Sequence, residues 1–402
     1  MATTTTDPRF SSTPPKPKAS GSFLYRREVR QAIYQIALVA ALAALTYIIV
    51  TNAAENLRRQ NIASGFGFLN STAGFDIAQT LVDYTNTSSY GRALVVGFWN
   101  TVLVAAIGIP LATILGFVAG IARLSNNWLI AKIATIYVET IRNVPLLLQL
   151  LLWYFGVLKS LPSPRQSINI ADSAFVNVRG LYLPRPEWLV GSGAVFASIL
   201  FGILASIGIA YWANRRQMAT GQRFPVLWTS LALIIGLPIA MFVVMGLPVS
   251  FDYPALKGFN FEGGQVIQPE LVAITLGLVI YTGAFIAEIV RAGIAGVPKG
   301  QWEASRAVGL NNGQLLRLVV IPQAMRIIIP PLTSNYLNLT KNSSLAVAIA
   351  YADFVNVGGT VLNQTGQAVE VILMIMGVYL VLSLLTSGFM NWFNKKMALV
   401  ER

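Results

Sequence analysis

Residues 225–247 read PVLWTSLALIIGLPIAMFVVMGL, 23 residues in succession without a charged side chain. As a helix rising ~1.5 Å per residue, the run covers ~35 Å, more than the ~30 Å of hydrocarbon in a bilayer. Stretches of the same character occupy 31–50, 190–212 and 369–393, each with almost no charge. Runs of this length and polarity read as membrane-crossing helices. Of the 402 residues, 55% are hydrophobic and only 11% are charged, whereas a soluble domain carries about 25% charged residues. The sequence is that of an all-α, polytopic membrane protein.

The missing residue types narrow the chemistry. There is no Cys and no His, which excludes disulfides, thiol nucleophiles, histidine general bases, haem ligation and the usual zinc sites. No metal site, cofactor or catalytic residue is expected. A net charge of +13 is compatible with nucleic-acid binding in principle. No basic run is interleaved with exposed aromatics, however, so no nucleic-acid partner is expected. In a chain of spans the excess reads as an orientation bias.

Working outward gives eight spans: 31–50, 93–121, 131–158, 190–212, 225–247, 270–292, one within 315–341, and 369–393. The first follows Arg26, Arg27 and Arg30 as a signal peptide would. It is too long for a typical apolar core of such a peptide and has no obvious cleavage site, so it reads as a retained span. Segments 1–30, 122–130, 213–224, 293–314 and 394–402 hold 15 Lys or Arg. That asymmetry predicts both termini in the cytoplasm. Residues 1–30 then form a disordered cytoplasmic tail, 31–92 a first span with a periplasmic loop, and 395–402 a second tail. The loop 159–189, with Lys159, Arg165, Arg179 and Arg185, runs against the rule.

The region 315–361 combines Pro322, Pro330 and Pro331 with Asn335, Asn338, Lys341 and Asn342, followed by a second apolar stretch over 345–361. A proline-broken span is tolerated only where protein or a water-filled cavity satisfies the freed backbone groups. A full crossing by 345–361 would turn Lys395 and Lys396 outward, so that stretch is expected to be re-entrant or interfacial.

The most informative segment is 297–322. Pro298 suits a first helical turn, good helix formers follow, and Gly309 supplies a stop, with Asn311, Asn312 and Gly313 as turn residues. The predicted helix has about 11 residues, too few and too polar to cross a membrane, and the charge pattern places it in the cytoplasm. Physics alone favours an ordinary amphipathic loop helix, although a short rigid helix there can also dock in a groove on a soluble partner.

Spacing adds a resemblance. Glu303-Ala304-Ser305, Gly309 and Val319-Val320-Ile321-Pro322 resemble the EAA signature of ABC importer permeases, with Ser305, Val319 and Ile321 as small or volume-similar replacements. Residues 283–293, 297–303, 322–326, 335–345, 137–146 and Asn100-Thr101 resemble the polar amino acid branch of that family. The long form, with Gly65-Phe66-Gly67-Phe68-Leu69 and Ala73-Gly74-Phe75-Asp76-Ile77, is similar to the larger (Q-type) permease subunits of general L-amino acid importers. The resemblance implies a type I importer permease core over 93–394, with an inserted two-span segment at about 160–269. It implies that the loop 297–312 couples to ABC ATPase subunits, through Pro298, Gly300, Glu303, Ala304, Ser305, Gly309 and Leu310. It also implies a second homologous permease subunit, a periplasmic amino acid-binding protein and broad substrate tolerance. A P-loop needs Gly-Lys before Ser or Thr. That dipeptide occurs nowhere in the sequence, so ATP is expected on a partner.

Polar side chains within spans mark either interhelical contacts or a pathway. Glu139 with Arg142 and Glu288 with Arg291 are spaced three apart, as structural pairs are. Asn100, Gln149, Glu288, Asn335 and Asn338 are the candidates for lining an amino acid's route, with interhelical hydrogen bonding as the plainer reading. An ion-driven secondary transporter is the competing function. It would show matching broken helices in two halves, and no convincing internal repeat is present.

Overall fold

The computed structural model describes residues 27–59 and 65–397. The chain divides into two units. The first contains α1 (Arg27–Arg59). Most of the expected N-terminal tail lies outside the described residues, and its last four residues, 27–30, are helical. Within α1, the Thr46 and Thr51 hydroxyls donate to the Leu42 and Tyr47 carbonyls, which satisfies these hydroxyls in and beside its long apolar stretch.

The second unit is built on α2 (Tyr90–Ala122) and α8 (Pro269–Ala295), which pack along much of their length. On α2, Gly108, Ala112, Gly116 and Gly120 recur every fourth residue and are all buried. A Cβ on Gly116 would lie 2.5 Å from Ile286, and one on Gly120 would lie 2.6 Å from the Ala287 carbonyl. In lipid, where apolar burial provides no drive between helices, close backbone approach along such a small-residue stripe supplies the dispersion that holds them.

Around this pair stand α3 (Trp128–Asn143), the short α4 (Leu146–Leu151) and a π-helical turn, Leu152–Val157. The expected third span is thus not one rod: it bends by 107° between its two arms. The cause is local. Val144 is extended, the conformation favoured before proline, and Pro145 caps a new helix. Gln149 Nε2 donates to the Ile141 and Val144 carbonyls at 2.9 Å each and satisfies groups the bend frees.

The inserted segment adds α5 (Ser192–Thr220), α6 (Val226–Leu231) and α7 (Leu237–Val244), the last two joined by a π-helical turn. Their principal contacts are with each other. Ser198, Gly202 and Ser206 are buried in that contact, and a Cβ on Gly202 would meet the Leu233 carbonyl at 2.3 Å. Eight short strands flank the pair, β1 (Ile168–Ile170), β2 (Ala174–Asn177), β3 (Gly180–Leu183), β4 (Arg185–Trp188), β5 (Val249–Asp252), β6 (Ala255–Lys257), β7 (Asn260–Glu262) and β8 (Gln265–Ile267). β1-β2-β3-β8 form one antiparallel sheet, with β3 and β8 registered Leu181↔Ile267. β4 and β5 pair Arg185↔Asp252 through Trp188↔Val249 at the foot of the inserted helices.

The remaining helices are α9 (Lys299–Ala307), α10 (Asn312–Leu315), α11 (Ile321–Asn342), α12 (Phe354–Thr365) and α13 (Ala368–Met397). Among the described residues, seven helices have the length and polarity to cross a bilayer, and the bent pair makes eight. Two local expectations are corrected. Pro330 and Pro331 lie inside a continuous α11; the irregularities fall instead at a π-helical turn over Leu316–Val320 and a 3₁₀ stretch over Ser343–Ile349. Asn311 and Asn312 open α10 rather than forming a turn, because Asn311 and Gln314 make a reciprocal capping box. With only 12 residues, α12 covers ~18 Å and is too short to cross a bilayer by itself.

Candidate coupling helix and translocation cleft

Helix α8 begins at the sheets and ends where α9 begins, ~40 Å away by its 27 residues. Pro298 caps α9 rather than filling its first turn, and the helix has nine residues rather than about 11. Gly309, at φ +79°, ends it. Leu310 N–H donates to the Ser305 carbonyl at 3.1 Å and Gly309 N–H to the Arg306 carbonyl at 3.0 Å. These two bonds are the Schellman stop, which needs the left-handed conformation that glycine takes without strain.

The two faces of α9 differ. Trp302 and Leu310 pack against the main hydrophobic core, and Ser305 is buried with its hydroxyl on the Gln301 carbonyl. Gln323 on α11 donates to Gln301 across 3.2 Å. Gly300, Glu303, Ala304 and Ala307 are exposed, and their i, i+3, i+4, i+7 spacing makes them one outward stripe. The stripe is low in relief, with small residues around a single carboxylate. A space of about 800 Å³ flanks the helix, bordered by Trp302, Arg306 and the last turns of α2.

At the same end, charges from three elements converge. Arg123, just beyond α2, forms short ion pairs with Glu288 of α8 and Glu139 of α3, the latter at 3.2 Å. Glu288 also takes Arg291 at 2.5 Å and Arg142 at 3.7 Å. Glu139 thus pairs with Arg123, where its spacing suggested Arg142. Glu288 joins three arginines, and Arg123, the most buried of them with its side chain only 10% exposed, ties it to Glu139. In the sequence Arg123 counts merely as a loop charge, and nothing local marks it as central.

The five pathway candidates separate. Asn335 and Asn338 face Tyr281, Thr282 and Phe285 of α8, and with Asn342 they line a cleft of about 280 Å³. Asn100 is fully buried, donating to the Gln79 and Ala352 carbonyls at 2.8 and 2.9 Å. Gln149 holds the bend, and Glu288 belongs to the ion cluster. Thr282 and Asn342 join the cleft unpredicted; on a helix of unknown neighbours, neither has a pattern that points to it.

Asp353 was also unforeseen. It lies between the 3₁₀ stretch and α12, outside the crossing helices, and is fully buried. Its carboxylate caps α12 through Asn356 N–H at 2.8 Å and accepts from Tyr379 at 3.1 Å. Burial pushes the carboxyl up to about 6, against those hydrogen bonds, which favour its charged form.

A multi-span helical core with a short amphipathic helix at one end and a polar cleft between two core helices fits a membrane permease component. The family model described as "binding-protein-dependent transport system inner membrane component" matches residues 198–399. The general L-amino acid transport system permease protein AapQ of Rhizobium johnstonii is 55% identical over 95% of each chain. The glutamate/glutamine/aspartate/asparagine transport system permease protein BztB of Rhodobacter capsulatus is 41% identical over 98% of this chain and all of that one. The chain belongs to the family of binding-protein-dependent transport system inner membrane components.

Proposed function

We propose that this chain is one membrane-embedded half of an ATP-driven importer of L-amino acids, with its α9 end toward the cytoplasm and its sheets toward the periplasm. The observation that carries the reading is the geometry of α9. A nine-residue helix, stopped by a left-handed glycine and keyed into the core by Trp302 and Leu310, presents an exposed stripe of Gly300, Glu303, Ala304 and Ala307, flanked by exposed Lys299 and Arg306. Such a helix suits a shallow groove on a soluble partner, and its rigid stop passes a push to α8 and α11 instead of absorbing it.

In this reading ATP is bound and hydrolysed by separate ABC ATPase subunits. A second permease subunit completes the passage, and a periplasmic binding protein delivers the amino acid. Substrate passes between α8 and α11 beside Asn335, Asn338, Asn342 and Thr282, whose amides and hydroxyl offer both donors and acceptors to a zwitterion. Asn100, Gln149 and Glu288 hold the framework, each engaged with backbone carbonyls or arginines. Alternation between outward and inward access requires two packed arrangements of the halves.

Reconstitution in vesicles tests the function. Uptake of labelled L-amino acid is expected only with ATP and the ATPase subunits present, and Glu303→Lys should abolish uptake while membrane insertion stays intact. Uptake driven by an ion gradient, without any ATPase, would overturn the reading.

A further inference from the structure

Where the inserted sheet meets the core, a cleft of about 460 Å³ is lined by Lys159, Arg179, Asn260, Gln268 and Glu270. Its walls come from three separate pieces of chain: the end of the bent third span, the β2–β3 turn with β7, and the start of α8. Tyr154 organises two of the charges. Its hydroxyl donates to Glu270 at 2.6 Å, and the Lys159 ammonium stands 4.9 Å from the centre of the same ring. One aromatic residue thereby holds an acid at its edge and a base over its face. Tyr182 donates to Asn260 Oδ1 at 3.3 Å, which leaves the Asn260 amide N–H groups available to the cleft.

The charge count is specific. Among the described residues, neither Lys159 nor Arg179 has a carboxylate within ion-pair distance. Glu270 is the one acid of the cleft wall and keeps its second oxygen unassigned. The wall therefore offers two positive groups and one negative group. An acidic α-amino acid carries the complement, two carboxylates and one ammonium. A neutral amino acid leaves one cation uncompensated, and a basic one adds a like charge.

Position supports a role in transport. Tyr281, on the wall of the α8–α11 cleft, follows Glu270 by 11 residues on the same helix. Eleven residues are about three turns, so the two clefts share one face of α8 and lie ~17 Å apart.

We propose that this cleft is a binding site for acidic L-amino acids, built jointly by the inserted segment and the core. The inference rests on the importer reading given above and deepens it: the insert contributes recognition as well as bulk. The α-carboxylate and side-chain carboxylate take Arg179 and Lys159, and the ammonium takes Glu270.

Equilibrium binding of labelled L-glutamate to the complete importer in nanodiscs, without its binding protein, tests the site. Saturable binding is expected. The double variant Lys159→Gln/Arg179→Gln should weaken it at least ~10-fold, as loss of charge-assisted hydrogen bonds does, and L-glutamine should bind ~10-fold more weakly than L-glutamate. Arg185→Gln, an exposed cation outside the cleft, should change nothing. Both cations of the double variant are exposed, so folding is not at stake. Unchanged glutamate binding in the double variant, with ATP-driven uptake intact, overturns the site but leaves the importer reading standing. A variant defect seen only when the binding protein is added also overturns it, by assigning the cations to protein docking. If the wild-type importer moves no amino acid with ATP, the importer reading itself fails and the site with it.

Discussion

Gly116 and Ile286 touch so closely that the smallest side chain on the glycine would sit 2.5 Å from the isoleucine Cβ. Neither side can yield, since both are buried at the α2–α8 contact. Gly116→Val is expected to cost ~2–3 kcal/mol through overpacking, and Ile286→Ala in the same chain should recover part of it. Thermal unfolding of the four variants in detergent would measure the coupling. Full additivity would show that the helices do not meet there.

The ion cluster gives a second expectation. Arg123→Ala strips Glu139 of its ion-pair partner and Glu288 of its most buried one, at a cost of ~1–2 kcal/mol, since Glu139 is half exposed and Glu288 keeps two arginines. Because each single change breaks the same Arg123–Glu288 pair, the double variant with Glu288→Gln should lose less than the sum of the singles, by ~1 kcal/mol or more. Urea unfolding of the purified chain reports both values.

Asp353 makes stability depend on pH. Its carboxyl has an ordinary value of 3.8 and is pushed up to about 6 by burial. The folded state thus binds a proton that the unfolded state releases between those values. The sign follows: stability is greatest below ~4 and declines as pH rises through ~6, by ~3 kcal/mol in all. Unfolding midpoints should be higher at pH 5 than at pH 7.5. Asp353→Asn, which keeps a capping oxygen, should flatten that difference.

At α9, Gly309→Val forces a β-branched residue into the left-handed region at φ +79°, a cost of ~1–3 kcal/mol. Because the strain falls at the stop of the helix, ATP hydrolysis by the partner subunits should persist while amino acid uptake drops severalfold. Parallel assays of phosphate release and uptake would show the split.

Much of this molecule is written in local pattern. The eight spans follow from apolar runs of about 20 residues, and α9 from Pro298, Gly309 and the spacing around Glu303. The bend at Pro145 was hidden because the run 131–158 is long and apolar enough as a whole to read as one span, and hydropathy alone does not register direction. The strands were hidden because three or four residues are too few to display alternation. Of the cleft between α8 and α11, Asn335 and Asn338 were legible as amides within a span. Thr282 and Asn342 became visible only once the two helices were side by side. Arg123 and Asp353 gain their roles chiefly from Glu288, 165 residues away, and Tyr379, 26 residues away, which no window reading brings together.

The ladder β4–β5 places Trp188 opposite Val249, at the two ends of the 60-residue excursion 189–248. Paired ends of this kind accept a two-residue turn. Replacing 189–248 by Asn-Gly should therefore close a hairpin and leave the β1-β2-β3-β8 sheet and the core helices in place, with an unfolding midpoint near that of the parent. The inserted helices behave as a detachable cassette whose seam is already sewn, so a lineage can gain or shed them without redesigning the machine they adorn.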